Sequence, residues 1–509
     1  MYEELHEFLE QLGRPRVCVI GDVVLAGYFW GPVARISPEG PIPVLRVDRE
    51  DHKPGGAAGV AAMLAALGAE VTCAGVVGED EAATCLREQL EAAGARAAGL
   101  VTCPDRTTTC RTRYLGWVQS AGRAVQQMLR VDDEPTGPIG PDLSRAVFEA
   151  AEPLIDRAEA VVAVDMGLGL FDAALLRRVI ERAAARGVPV IVDPEAPREC
   201  APYGRADCLL LNRAEAEALT GIELRGAADY ARAGRALIAD GALHSVAVKL
   251  DRDGIYFATA EGEEDLAPAH VREVADVTGA GDMVAAAFTL ALAAGATLRR
   301  AAELANFAGG VEVTRHGAAV VSRAEMLTEI RVEADPALRK VESLDELLSI
   351  LETRRARGEK VAFTNGCFDL LHVGHLQLIR FARAQADMLV VGINSDASAR
   401  ELKGPGRPVN GEGARARMLA GLADVDYVVV FGTKSVLPLV ERVRPDVLVK
   451  GGDYGKKGVV GCELVESYGG RVELAPEVEG LSTSDIIQRI HEGNEGGDRE
   501  GSQGDGAPA

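Results

Sequence analysis

Twice along this chain, short β-branched runs alternate with Ala/Leu/Arg-rich helical stretches, and that alternation limits the possible folds more than any other feature. The first series runs VCVIGD, GVAAMLAALG, EVTCAGVVG, a helix near CLREQLEAAG, AVVAVD, LLRRVIERAAARG, VPVIVD, CLLLN, ALIADG and SVAVKL. The second begins at Lys360 with KVAFTNG and continues through MLVVGINSD, YVVVFG, DVLVKGGDY and RVELAPE. Strands that alternate with helices build βαβ units, because a parallel return needs a crossover connection. The expectation is an α/β protein with a largely parallel sheet in each half. A length of 509 residues agrees, since one ordinary domain takes roughly 100–200.

Between the two series lies RVEADPALRKVESLDELLSILETRRARGEK. It reads as a short linker at Ala334 to Pro336, then an amphipathic helix from about Ser343 with Leu344, Leu347, Leu348 and Leu351 on one face. The expected parts are a first domain over 1–335, linker and helix over 336–359, a second domain over 360–491, and a tail over 492–509. The tail, GNEGGDREGSQGDGAPA, is Gly-rich, polar and aperiodic, so disorder is expected there. The segments Pro41 to Lys53 and Thr107 to Asp132 read as extended chain without crossover helices, suiting a small antiparallel lid.

Charge and cysteine content remove several function classes. The formal net charge is −22, from 55 Lys+Arg against 77 Asp+Glu, a field that repels nucleic-acid backbones. Local donors and a divalent cation can still hold an anionic metabolite. The nine cysteines show no CxxC pair and no Cys/His cluster at metal-ligand spacing, so they read as small buried hydrophobes in a reducing compartment. The acidic amphipathic start MYEELHEFLEQLGRPR lacks the features of a secretory signal, and no apolar run nears the ~20 residues that span a bilayer. A cytoplasmic location is expected, with no membrane and no nucleic acid as partner.

In the first half, Asp276-Val-Thr-Gly-Ala-Gly-Asp282 precedes the apolar helix MVAAAFTLALAAG. Gly279, Ala280 and Gly281 at a helix entry let N–H groups and the positive dipole end face an anion, with the Asp282 carboxylate beside them. Such an anion hole suits phosphoryl transfer, Asp282 taking the proton of an attacking hydroxyl. A bare GxGD is also an ordinary Gly-rich turn at a helix start.

Order and context make the reading sharper. DVTGAGD, with VIGDVVLAGYFWGP, RISPEGPIPV, PGGAAGVAAMLAALG and Asn212-Arg-Ala-Glu215, resembles the ribokinase-like (PfkB-type) carbohydrate kinases over residues 15 to about 325. RISPEGPIPV narrows the resemblance to the heptose-phosphate branch. It implies an α/β/α sandwich with a small β lid and a sugar pocket that includes Asp22, Gly55 and Gly56. It also implies that Asn212, Arg213, Ala214 and Glu215 bear on the Mg²⁺ and phosphate network, and that Lys249, Gly254 and Asn306 line the adenine pocket. The sugar side departs from the pattern. Ala26 stands for an expected carboxylate, Gly59 for an asparagine, Leu168 for a lysine, and Glu195 for another lysine. Each buried polar partner lost costs on the order of 1–3 kcal/mol. Three readings stay open here: a kinase with an altered sugar, a heptose kinase with a rearranged pocket, or a domain that only regulates or dimerises. Lid segments in such kinases commonly pair between subunits, which implies a homodimer through this domain.

In the second half, TNGCFDLLHVGH places His372 and His375 on one face at a helix opening, where a triphosphate can lie. No third ligand or HExxH pattern accompanies them, which argues against a zinc site. The segment resembles the HxGH cytidylyltransferase-like nucleotidyltransferases, Rossmann-like α/β domains, over about residues 345 to 490. Asn394-Ser-Asp396, Lys403-Gly404, Arg407-Pro-Val-Asn410, Lys450-Gly-Gly-Asp-Tyr454 and Ser482-Thr-Ser484 are similar to the adenylyltransferase half of bifunctional heptose-phosphate enzymes. The resemblance implies attack of a sugar 1-phosphate on the α-phosphorus of ATP, with Mg²⁺ and release of pyrophosphate. It implies a nucleotide site made of Asn365, Gly366, Phe368, Asp369, Lys403, Arg407, Lys450, Gly451, Asp453, Ser482 and Thr483, around catalytic His372 and His375. No protein-only metal site is expected, Mg²⁺ arriving with the nucleotide. Relatives with HxGH also use CTP, and Arg415 and Arg417 read equally well as solvated helix residues.

Overall fold

The computed structural model describes residues 2–117, 125–135, 137–269, 279–314, 320–452 and 458–476. Expectations for Asp276, Asp453, Ser482, Thr483 and the tail over 492–509 lie outside them. The chain divides into two compact units, Met1–Ile330 and Arg331–Ala509.

The first unit is built on a nine-stranded sheet. From one edge its strands are Glu264–Ala267, Ile255–Thr259, Ser245–Lys249, Cys208–Asn212, Val190–Pro194, Ala160–Asp165, Arg16–Gly21, Glu70–Val77 and Ala95–Thr102. The last seven run parallel, and the first two turn back antiparallel. Their Val, Ile, Leu and Ala side chains are buried on both faces, in separate apolar layers. That explains why these strands read as continuous apolar runs rather than alternating ones. The opening helix Tyr2–Gln11 buries Leu5 and Leu9 in one of those layers.

The lid differs from the expected antiparallel piece. Its centre is a strand of 14 residues, Val23–Ile36, continuous with the first strand of the main sheet. Arg49–Gly56 pairs with it antiparallel and Cys110–Trp117 pairs with it parallel, Val125–Asp133 extending the latter. The lid is therefore mixed, because the chain reaches Cys110 only after a crossover through the main sheet.

The second unit holds six parallel strands in the order Val341–Glu342, Tyr427–Phe431, Met388–Asn394, Val361–Gly366, Val447–Gly451, Arg471–Ala475. Strand order reverses beside Val361–Gly366, and crevices for ligands open at the carboxyl ends of strands at such a switch point. The helix Leu344–Ala356 opens with a capping box between Ser343 and Glu346 and buries Leu347 and Leu351. Among the described residues no helix is long and apolar enough to cross a membrane, and all nine cysteines are free.

Candidate functional sites

In the first unit, the carboxyl ends of the parallel strands deliver Asp22, Asp165, Asp193 and Asn212 to one rim of the sheet. The helix Ala280–Ala293 starts opposite them. Gly279 caps it in the left-handed region, φ 98°, which glycine adopts without a Cβ penalty. Among the described residues nothing stands within 4 Å of where a Cβ on Gly281 would be. Asp282 lies in the first turn, half-buried. Burial, with Asp193 and Glu195 adding repulsion, pushes its carboxyl up to about 7 against the opposing pull of Lys249 and Arg111.

The structure sorts the other kinase candidates by what they touch. Asn212 and Glu215 form a reciprocal capping box on the helix Arg213–Thr220, at 2.9 Å and 2.7 Å. Glu215 Oε1 also faces the Ala196 N–H at 3.4 Å. Arg213 donates to Leu224 O, to Leu250 O and to Asp253, and pairs with Asp251, so its guanidinium ties the helix to the following turn. Lys249 ends its strand beside Asn212 in the sheet. Its Nζ donates to Asp193 Oδ1 at 2.8 Å, on the Asp282 side. Asn306 donates to Ala267 O and Pro268 O, and a Cβ on Gly254 would strike Ala267 O, so these two meet along Ala267 and Pro268.

The sugar side is shaped by its unusual residues. Asp22 is buried and accepts N–H bonds from Met166 at 2.9 Å and Leu168 at 3.3 Å. Burial raises its carboxyl to about 6, with Asp165 adding to the rise. Gly56 is held by close backbone approach, since a Cβ there would meet Asp22 O at 2.5 Å. Gly55 has its nearest neighbours at 3.6 Å, Ala26 among them. A Cβ on Gly59 would stand 3.3 Å from Asp282 Oδ2, so the missing side chain at 59 leaves room directly beside that carboxylate. Arg106, which the sequence reading overlooked, donates to Leu168 O at 2.6 Å and Gly137 O at 3.1 Å and so fixes the Leu168 loop.

In the second unit the strand Val361–Gly366 ends at the switch point and the helix Val373–Arg383 starts close by, His372 being its N-cap residue. The His372 and His375 rings lie 3.9 Å apart between centroids, and Phe368 closes on His375 at 5.1 Å. Phe368 has φ 47°, which turns the chain between strand and helix. Burial, then the charges of His372 and Lys403, push His375 down to about 4; burial lowers His372 as well. Both imidazoles are therefore neutral near pH 7 in the unliganded site. Among the described residues the Nδ1 atoms of both, Asn365 Oδ1 and Arg407 Nη2 are buried without a hydrogen-bond partner. Buried polar atoms are seldom left so, and this group is a candidate contact for a polar ligand or for residues beyond the described ones.

Asp369 is engaged within the protein. It is buried and accepts from Arg407 Nε at 2.6 Å, Val409 N–H at 2.7 Å and Asn410 N–H at 3.0 Å. Burial pushes the carboxyl up, but these donors outweigh it and hold it below the ordinary range. It clamps the loop over 407–410 against the strand-to-helix turn. Lys450 donates to Asn365 O at 2.9 Å, joining the next strand end at Gly451 to Asn365 and Gly366. Arg415, which the sequence left open between a site residue and a solvated one, is fully buried. It donates to Cys367 O at 2.6 Å, Asp396 Oδ1 at 2.7 Å and Asn410 O at 2.9 Å, so one guanidinium spans three loops of the site. Arg417 is exposed and pairs with Asp335.

Comparison with known proteins matches a family to each half of the chain. Residues 14–324 match the pfkB family carbohydrate kinases and residues 363–489 the cytidylyltransferase-like family. Bifunctional protein HldE of Geobacter sulfurreducens is 44% identical over 478 residues, 94% of this chain and 96% of that protein. The protein of the same name from Caulobacter vibrioides is 43% identical, over 93% and 96%. The solved structure of Arabidopsis thaliana ribokinase with ribose and ATP is 19% identical and superposes with a TM-score of 0.51, covering 62% of this chain and 99% of that one. That last likeness concerns the fold alone.

Proposed function

The chain belongs to the family of bifunctional HldE proteins, a pfkB-type carbohydrate kinase joined to a cytidylyltransferase-like domain, and on that premise we propose how its residues divide the work. It is a heptose kinase and adenylyltransferase. The kinase phosphorylates D-glycero-β-D-manno-heptose 7-phosphate at O1, and the transferase joins heptose 1-phosphate to the adenylyl group of ATP, making ADP-heptose for lipopolysaccharide. A phosphatase step on the 7-phosphate must lie between them.

In the kinase, Asp282 takes the proton of the anomeric hydroxyl while the N–H groups of Gly279, Ala280 and Gly281 receive the charge that builds on the transferred phosphoryl group. In the transferase the nucleophile is already an anion, so no base is needed. His372 and His375 hold phosphate oxygens as charge grows, Lys403 and Arg407 neutralise the triphosphate, and Asn365 and Lys450 set the floor. Mg²⁺ fits the kinase site as a passenger of the nucleotide: the backbone N–H groups of Asn212 and Ala196 face the two oxygens of Glu215, and Lys249 pairs with Asp193, so these carboxylates do not form a protein cage. The ion, when bound, supplies phosphate-charge neutralisation. We further propose a homodimer through the lid, where Phe29, Tyr114, Leu129 and Val131 fall on one face and Leu129 is 57% exposed, and a cytoplasmic place of work, where ATP is available.

The observation that carries this reading is the presence, in one chain, of a carboxylate with raised proton affinity at one helix mouth and a neutral histidine pair at another. Two assays on one preparation test it: ADP release with heptose 7-phosphate, and pyrophosphate release with heptose 1-phosphate and ATP or CTP. Turnover in both, with ATP preferred, is expected. Pyrophosphate release without any sugar-dependent ADP release would leave the first unit a non-catalytic module.

A further inference from the structure

The lid strand Cys110–Trp117 carries a cation that the phosphoryl transfer described above does not employ. The Arg111 side chain is only 14% exposed, and its Nε donates to Glu134 Oε1 at 2.8 Å. Its Nη2 stands 3.8 Å from Glu195 Oε2. Glu134 follows the neighbouring lid strand, whereas Glu195 follows the main-sheet strand that ends with Asp193 and Pro194. Arg111 therefore connects the lid to the floor of the sugar side, within the field of Asp282.

The two contacts are unequal. At 2.8 Å the Glu134 pair is a charge-assisted hydrogen bond. At 3.8 Å the Glu195 pair is a Coulomb contact without one, and the Glu195 side chain is 55% exposed, so water competes for it. A guanidinium offers five N–H donors in a planar fork, and a phosphate matches that fork with two oxygens at once. Strand register adds a second feature. Ala26 sits directly between Arg111 on one neighbouring strand and Lys53 on the other. With a methyl group at 26, no carboxylate separates the two cations. Lys53 is half-buried over the Tyr28 ring, at 5.4 Å.

We infer that Arg111, with Lys53 across Ala26, is the seat for the anionic group that the sugar carries, and that Glu195 occupies the outer N–H edge of Arg111 until such a sugar arrives. The inference rests on the kinase reading above and names the residues that select a phosphorylated sugar over a neutral one. A phosphate displaces Glu195 because it can form the short hydrogen bonds that the carboxylate at 3.8 Å does not. A neutral sugar carries no anion to seat on that fork, so vacating the outer N–H edge of Arg111 gives it no gain.

Steady-state kinetics of the full chain at pH 8.5, where Asp282 is ionised in every variant, test this. Glu195→Gln is expected to lower KM for heptose 7-phosphate at least threefold and leave KM for ATP unchanged. Arg111→Gln is expected to raise KM for the phosphosugar at least tenfold, and the double variant to lose the gain given by Glu195→Gln. A Glu195→Gln variant whose phosphosugar KM stays the same or rises, beside a wild type that turns over, overturns the inference and leaves the kinase reading standing. An equal gain for the unphosphorylated heptose overturns it too, since the anion would then be irrelevant. A wild type that turns over no phosphosugar overturns the kinase reading itself, and the inference with it.

Discussion

Each centre sits where a helix begins beside the carboxyl end of a parallel sheet, yet the two environments push their titrating groups in opposite senses. In the first unit burial and two neighbouring carboxylates raise the proton affinity of Asp282 to about 7. In the second, burial and a cationic neighbourhood lower that of His375 to about 4. The difference follows the nucleophile. A sugar hydroxyl must lose a proton, so its site holds a base that can accept one near neutral pH. A sugar phosphate already carries a negative oxygen at any pH above its first ionisation, its second proton leaving at about pH 6, so its site needs donors with fixed positions rather than a base, and neutral imidazoles become partly cationic only as negative charge arrives.

Exchange of single residues breaks that contrast most strongly. Asp282→Asn is expected to cut sugar-dependent ADP release by about 10²–10⁴-fold, the usual worth of a general base, while pyrophosphate release is unchanged. His375→Ala reverses the pattern, costing the transferase roughly 10²–10³-fold and sparing the kinase, as expected for loss of a charge-stabilising donor. A smaller but still large effect concerns stability. Arg415→Met strands the carbonyls of Cys367 and Asn410 and frees the part-exposed Asp396 carboxylate, and the loss of charge-assisted bonds to buried acceptors costs roughly 1.5–3 kcal/mol. Thermal inactivation followed separately for each activity should show the transferase lost at lower temperature and the kinase unmoved. Smallest is Asn212→Ala. If the NxxE motif acts as the helix cap seen here, it costs about 1 kcal/mol of stability, with kcat of the kinase little changed. A thousandfold loss of kcat instead would give Asn212 a direct part in phosphoryl transfer.

What the sequence disclosed depended on whether its signals were local. Alternating runs announced both parallel sheets, and the stripe of Leu344, Leu347, Leu348 and Leu351 announced the helix after Ser343, because each pattern lies within a few residues. The central lid strand Val23–Ile36 was not anticipated. Its first six residues are buried and its last four run from half-buried to exposed, so it shows no single period. Arg415 and Arg417 stand two apart on one helix and are identical in type. Only the tertiary fold decides that one is enclosed by three loops and the other faces water. Asn212-x-x-Glu215 carries two meanings at once, a helix cap and a family motif, and the capping geometry is the one visible in the structure. Lys249 was grouped with Gly254 and Asn306 through the family resemblance, and its ion-pair partner, Asp193, which comes from a strand two places away in the sheet, could not be read from a motif.

The most direct measurement is the pH dependence of kcat/KM for both reactions on one preparation, between pH 5.5 and 9. Asp282 acts only when deprotonated, so the kinase should rise about tenfold per pH unit below about 7 and level off above it. The free transferase keeps His375 neutral throughout that range, so that group adds no slope there. A kinase limb near 7 beside a transferase that lacks it is the outcome that two oppositely tuned centres require. A kinase profile flat through pH 7, or one limb shared by both reactions, would contradict them.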